Sequence, residues 1–318
     1  MIKLKTFGSF TVGNDITSVQ EGAWRSEKLE KLFVYLAMNR NRGVCIEDIS
    51  EAIWQVEEET DNPVGALKNL AYRLRKALRD ASFDEECIVS VRGGLYKWND
   101  DVEVTIDVEE FDRYINEAEM AFCRSKETAI ESYEKAIALY NGDFLPHRTD
   151  THWFMTLNAF YHSRYVNTVK ALAKLYIDTG RYEKLEQLCT RAIVYERSDE
   201  QLYSYLIVAR MRTKKVQMAF DTYETAKTIM DNELGVRKTV MLNKVYEELL
   251  SVTKGVSSYN IDEVKEDINE ESMEGVFMCG YPVFKEIYHL EVRKSARSNV
   301  PESLVLITVA PMFNTSSD

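Results

Sequence analysis

The chain has 318 residues, 45% of them hydrophobic, and a formal net charge of -12. That is long enough for two or three domains with a sizeable core, and too acidic for a protein coated in positive charge, so any nucleic-acid surface has to be local. Five widely spaced cysteines without a Cys-x-x-Cys, and a start that runs straight into an alternating pattern, point to free thiols in a cytoplasmic protein; no apolar run reaches the ~18 residues of a membrane helix.

Ile2, Leu4 and Thr6 alternate with Lys3 and Lys5, and Phe10 and Val12 precede a tight turn at Gly13-Asn14-Asp15. This pattern predicts a small antiparallel sheet. Ser26 is placed to cap a first helix that buries Leu29, Leu32, Phe33 and Leu36 and ends near Asn39, where a polar run turns the chain. A second helix over about 46–54 turns Ile46, Ile49, Ile53 and Trp54 inward. Its cap falls on Cys45, a poor capping residue, which predicts a frayed end. An acidic loop, 57–61, follows.

Residues 62–79 are the most informative stretch. Asn62 can cap, Pro63 suits the first helical position, and Leu67, Ala71, Leu74 and Leu78 recur on one face. Off that line stand Lys68, Arg73, Arg75, Lys76 and Arg79, with no Asp or Glu among them. A helix with an apolar inner face and a basic outer face suits a DNA groove; a solvated surface helix is the alternative. Two β-prone runs, 88–92 and 95–98, then flank Gly93-Gly94, a hairpin signature because both turn residues tolerate positive φ. Sheet, helix, helix, basic helix, hairpin is the order of a winged helix-turn-helix.

Ala66-Leu67, Tyr72-Arg73-Leu74-Arg75-Lys76-Ala77-Leu78 and Val91-Arg92-Gly93-Gly94-Leu95-Tyr96 together resemble the winged-helix domain of response regulators, in the version found in the streptomycete antibiotic regulatory protein family. The resemblance implies that the third helix enters the major groove and the hairpin touches the minor groove of double-stranded DNA. By position, Asn69, Tyr72 and Arg73 are then expected at bases, and Arg75, Lys76, Arg92 and Lys97 at phosphate or groove edges. Arg holding guanine and Asn holding adenine agree with that in part. Arg25 and Lys28 are weaker phosphate candidates. In related domains the loop region at 57–61 can meet RNA polymerase.

From Asp107 to about Val252 the pattern is helical, with a loop over 140–146 and a long helix from about Trp153 to Asp178. Arg181-Tyr182-Glu183-Lys184-Leu185 through Ala192 matches Lys215-Val216-Gln217-Met218-Ala219 through Ala226 at an offset of 34, the tetratricopeptide period. Leu139-Tyr140-Asn141-Gly142-Asp143-Phe144-Leu145, then Trp153, then Thr179-Gly180-Arg181-Tyr182 resemble the bacterial transcriptional activator domain that follows the winged helix in the same family. The resemblance implies a transcription regulator, and an activator, whose helical repeats mediate dimerisation, contact polymerase or sense a signal.

The expected architecture is multidomain and mainly α: a winged helix-turn-helix over 1–105, a tetratricopeptide-like α-helical domain over 106–254, an acidic linker over 255–274, and an incomplete α/β segment over 275–318 that looks like the opening of a nucleotidyl-cyclase-like domain. In that last segment a helix over 281–297, with Phe284, Ile287, Tyr288 and Leu290 inward, is expected between strands at 276–278 and 303–309. His147, His152, His162 and His289 sit at no metal spacing, and His152 and His162 read as packing or surface residues. With no phosphate-cradling loop and no nucleophile elbow, no catalytic, cofactor-binding or metal residues are expected, and an enzyme is not. The alternative functions are a protein-interaction scaffold whose winged helix does not bind DNA and, third, a signalling enzyme continuing beyond residue 318.

Overall fold

The alternation at the N-terminus builds strands, but not the expected all-antiparallel sheet. In the computed structural model, which describes residues 1–14, 16–54, 62–83, 87–91, 94–233, 239–255 and 281–298, β1 (Ile2–Lys5), β2 (Thr11–Gly13) and β3 (Ser18–Gln20) form an antiparallel meander. A fourth strand, β6 (Val104–Ile106), joins parallel to β1, giving the order β3-β2-β1-β6. Parallel pairing needs a long crossover; here it is everything between β3 and β6. Three helices and a hairpin fill that span: α1 (Glu27–Met38), α2 (Ile46–Ile53), α3 (Pro63–Asp80), and β4 (Ile88–Val91) with β5 (Leu95–Trp98).

Leu29, Leu32, Phe33 and Leu36 of α1 are buried, as their spacing predicts. Phe10, Trp24, Phe33 and Trp98 make successive edge-to-face contacts around them. α2 is capped after all: the Asp48 amide donates to Cys45 Sγ at 3.4 Å. Sulfur is a weak acceptor, yet it occupies the position a serine oxygen would.

The helical region follows at once. It comprises α4 (Asp107–Phe122), α5 (Lys126–Leu139), α6 (His152–Asp178), α7 (Tyr182–Tyr195), α8 (Glu200–Arg212), α9 (Val216–Glu233) and α10 (Val240–Gly255). The 34-residue period is visible in its caps and packing. Thr179 and Thr213 end α6 and α8 with their hydroxyls on Leu175 O and Ala209 O, at 2.7 and 3.0 Å. Leu185, Cys189 and Ala192 of α7 are buried, as are Ala219, Tyr223 and Ala226 of α9.

Met1–Ser257 form one compact unit and Ser258–Asp318 a second. Within the first, residues 2–106 (the head) share one hydrophobic core with α4–α8 of the helical region, and α8–α10 close a second. Phe7 packs its ring against Phe111, Tyr140 and Tyr161 at 5.2, 4.9 and 5.7 Å between centroids. The backbone continues from the head into the 140–146 loop: Gly8 N donates to Asp143 O and Leu145 N to Thr6 O, each at 2.9 Å, around a β-bridge between Phe7 and Phe144. Asp107, first residue of α4, accepts from Thr6 N, Thr6 Oγ1, Phe7 N and Val108 N at 2.7–3.0 Å. Burial pushes its carboxyl up, against those four hydrogen bonds. On α1, buried Glu30 meets Arg148, and buried Lys31 meets Asp150 with its ammonium 5.7 Å from the Phe154 ring centroid.

The 140–146 loop is itself pinned by His162, which is more than a packing residue. Its Nδ1 faces Asp143 Oδ1 at 2.8 Å and its Nε2 faces Glu196 Oε2 at 3.1 Å; Tyr140 donates to the same Asp143 oxygen. The Asp143 hydrogen bond, outweighing burial, raises the imidazole to about 9, and the same contact lowers Asp143. A folded pKa above the unfolded one stabilises fully below about 6.5, and that stability is lost as pH rises through about 9. Chemical denaturation from pH 6.5 to 9.5 is therefore expected to show a loss of order 2–3 kcal/mol in the wild type that His162→Gln lacks. Equal slopes in both proteins would contradict it.

In the second unit, α11 (Tyr281–Ser298) is the helix expected over 281–297. Ile287, Tyr288 and Leu290, read as an inward face, are instead exposed. The acidic linker and the strands expected at 276–278 and 303–309 lie outside the described residues, as does the acidic loop 57–61. Among the described residues no helix is long and apolar enough to cross a membrane, and no group of three or more His, Cys, Asp or Glu is placed to hold a metal ion.

Candidate nucleic-acid interface

The interface is built on α3. Asn62 Oδ1 accepts from Gly65 N at 2.9 Å and Pro63 occupies the first turn, so the helix starts where the sequence predicts. Leu67, Leu70, Ala71, Leu74 and Leu78 are at most 5% exposed. They pack on α1 and α2 and thereby fix which side of α3 faces out. Asn69, Tyr72, Arg73 and Lys76 lie at i, i+3, i+4 and i+7, one continuous helical face, and all are exposed, Tyr72 at 65%. Lys68, absent from the expected set, is exposed beside them. None of these five side chains forms a hydrogen bond or ion pair with a described residue. Outward cations that the fold leaves unpaired are available to phosphate, and a bare aromatic ring to a base edge or sugar.

The hairpin is the wing. Ile88↔Trp98 through Val91↔Leu95 pair in register. Val44 adds an antiparallel bridge to β5, exchanging both hydrogen bonds with Tyr96 at 2.8 and 2.9 Å. Ile88, Tyr96 and Trp98 are buried on its inner face, and Trp98 Nε1 donates to Val102 O at 2.8 Å.

The remaining predicted residues behave differently. Arg75, expected at phosphate or groove edges, is turned toward the wing: its Nε and Nη2 donate to Ile88 O at 3.1 and 3.0 Å. Half-buried, it ties α3 to β4. The carbonyl it reaches belongs to the backbone, so no residue identity could have announced the contact. Lys97 is also half-buried and pairs with Asp100 at 2.5 Å. Arg92 lies outside the described residues. The structure thus brings Asn69, Tyr72, Arg73 and Lys76 together, and sets Arg75 and Lys97 in supporting positions.

A winged helix whose third helix turns Lys68, Arg73 and Lys76 outward, joined to stacked helical pairs, has an architecture suited to a DNA-binding regulator. Comparison with known proteins places it further. Residues 21–98 match the family model described as transcriptional regulatory protein, C terminal, and residues 106–250 match the bacterial transcriptional activator domain. Among curated proteins, the transcriptional regulator RedD of Streptomyces coelicolor is 25% identical over 242 residues, covering 74% of this chain and 67% of RedD. Among solved structures, Mycobacterium tuberculosis EmbR, in complex with a low-affinity phosphopeptide, has the same fold: TM-score 0.60 at 20% identity, over 83% of this chain and 70% of EmbR. The chain is similar to transcription regulators of the streptomycete antibiotic regulatory type and carries, in order, a winged helix of the transcriptional-regulatory kind and a tetratricopeptide-like bacterial transcriptional activator domain.

Proposed function

We propose that this protein is a cytoplasmic, sequence-specific activator of transcription that reads the major groove with α3 and the adjacent minor groove with the hairpin over 88–98. The observation that carries the reading is the outer face of α3: Asn69, Tyr72, Arg73 and Lys76 side by side, exposed, and free of partners among the described residues. In a chain of net charge -12, such a face has a use only where a polyanion is met. Arg73 and Asn69 carry the chemistry for guanine and adenine edges, Tyr72 stands beside them on the same face, and Lys76 meets phosphate. Lys97 and Arg92 serve at the wing, and Arg75 acts by holding the wing against α3. RNA polymerase is the partner an activator of this type addresses. Residues 1–105 serve as the reading domain and 106–254 as the regulatory one, with 255–274 linking them to 275–318.

Base and phosphate contacts separate in their salt dependence. With full-length protein and fragments selected from genomic DNA, Arg73→Ala is expected to cost ~1–3 kcal/mol on the selected sequence and little on random DNA. Lys76→Ala is expected to weaken both alike and to flatten the plot of log affinity against log salt by about one unit. No binding by the wild type at low salt, or identical profiles for the two variants, would sink the proposal; a protein partner captured equally by wild type and Arg73→Ala would then favour the scaffold.

A further inference from the structure

A cleft of about 350 Å³ opens between α1, α2 and the start of α6, away from the basic face of α3. Its chemistry is acidic and aromatic. Asp48 and Glu51 of α2 line one side, and neither carboxylate is paired with a cation among the described residues. Trp153 and Leu157 of α6 form the apolar wall, with the Trp153 ring edge-on to Tyr35 at 4.8 Å between centroids. Tyr35 is only 3% exposed, yet it lines this cleft and its hydroxyl makes no hydrogen bond with a described residue. After burial, the influences on that phenol are, in order, Asp48, Arg42, Cys45 and Glu51, so the hydroxyl lies among two carboxylates and one guanidinium. Arg42 is held to one side by Asn39 Oδ1, at 3.2 and 3.1 Å. His152 and Thr156 complete the rim. A phenol this deeply buried, whose hydroxyl lines the cleft without a partner among the described residues and beside two unpaired carboxylates and an indole, is left for an occupant of the cleft to satisfy.

We propose that this cleft binds a small organic cation: an amidinium, guanidinium or ammonium head set between Asp48 and Glu51 and donating to the Tyr35 hydroxyl, with its apolar body on Trp153 and Leu157. Charge-assisted hydrogen bonds supply the head-group selectivity and the indole face favours a cation beside it. The volume lies in the range of small-molecule pockets. A bare metal ion fits less well, because two exposed carboxylates give too few ligands and the aromatic wall none. Walls from α2 of the head and α6 of the helical region place the ligand where Thr151 Oγ1 already donates to Ala52 O at 2.8 Å. The inference rests on these residues and not on the DNA reading, so either can fail alone.

Calorimetric titration of the full chain with benzamidine, and with neutral benzamide as its isostere, tests the site. Benzamidine is expected to bind saturably with a dissociation constant of ~1 mM or below and benzamide at least ~10-fold more weakly. The doubly neutralised variant Asp48→Asn/Glu51→Gln, both surface changes, is expected to weaken benzamidine by ~10-fold or more, and Tyr35→Phe by a few-fold. Circular dichroism checks each fold; should Tyr35→Phe unfold, the carboxylate pair decides. Absence of saturable binding, equal affinity for the two compounds, or no effect of neutralising Asp48 and Glu51 would each overturn the proposal.

Discussion

Arg148→Ala is expected to destabilise the first unit by about 3–5 kcal/mol, and Glu30→Ala by clearly less. Arg148 lies between α5 and α6 and is 5% exposed; Glu30 of α1 is 2% exposed. The guanidinium meets Glu30 Oε2 at 2.6 Å, Glu21 Oε1 at 3.2 Å and Glu27 Oε1 at 3.4 Å. Removing the arginine strands a buried carboxylate, whose other partner is Gly22 N at 2.8 Å, in the company of two more acids. Removing Glu30 leaves the arginine with Glu21 and Glu27. The asymmetry follows from the rule that an orphaned buried charge costs more than the pair itself contributes. The double replacement Glu30→Met/Arg148→Met is accordingly expected to recover much of the loss. Urea unfolding of the four proteins gives the ordering; equal losses in the two single variants would contradict it.

The second large effect is steric. Gly8→Ala is expected to cost ~2–5 kcal/mol, and Gly22→Ala only ~1–2 kcal/mol. Both glycines have positive φ, +84° and +79°, so both alanines carry the left-handed penalty. At Gly22 an added Cβ meets nothing within 4 Å. At Gly8 it would lie 2.7 Å from Asn141 O, a backbone atom that cannot swing away. Gly142 closes the same contact from the other side, its Cβ position 2.9 Å from Gly8 Cα. The difference between the two variants measures how tightly the head is joined to the helical region, and near-equal unfolding midpoints would mean that the joint is loose.

These contacts mark where reading the sequence stops. α3 was legible because its determinants are local: Asn62 and Pro63 start it, and Leu67, Ala71, Leu74 and Leu78 repeat at helical spacing. Tetratricopeptide stacking was legible for a similar reason, since Thr179 and Thr213 mark equivalent helix ends. The junction between head and helical region was not. Glu30 and Lys31 are charged residues buried by partners more than a hundred positions away, and no local pattern distinguishes them from solvated ones. Asp107 sits in what reads as a short join, yet it gathers the end of β1 through three hydrogen bonds. β6 is three residues long, too short for alternation to announce, and its partner is the first strand of the chain. Within the interface, periodicity identified which residues of α3 face outward but not which outward residue is occupied: Arg75 was separable from Arg73 only by the Ile88 carbonyl. On α11 the same periodicity misled, because an amphipathic pattern states that a face exists and not that anything covers it.

A joined head and helical region changes what an experiment has to use. A fragment ending near residue 105 would cut β6 (Val104–Ile106) and discard Asp107, Arg148 and the Phe144 bridge. DNA reading is therefore best measured on the full chain. The most direct test is enrichment of genomic fragments by wild-type protein and by the triple variant Asn69→Ala/Tyr72→Ala/Arg73→Ala, at ~50 and ~200 mM salt. The wild type is expected to enrich one motif at both salts, and the variant to retain weak, salt-sensitive binding while enriching none. A variant that enriches the same motif, or a wild type that enriches no motif at all, would contradict the assignment of α3 as the reading helix.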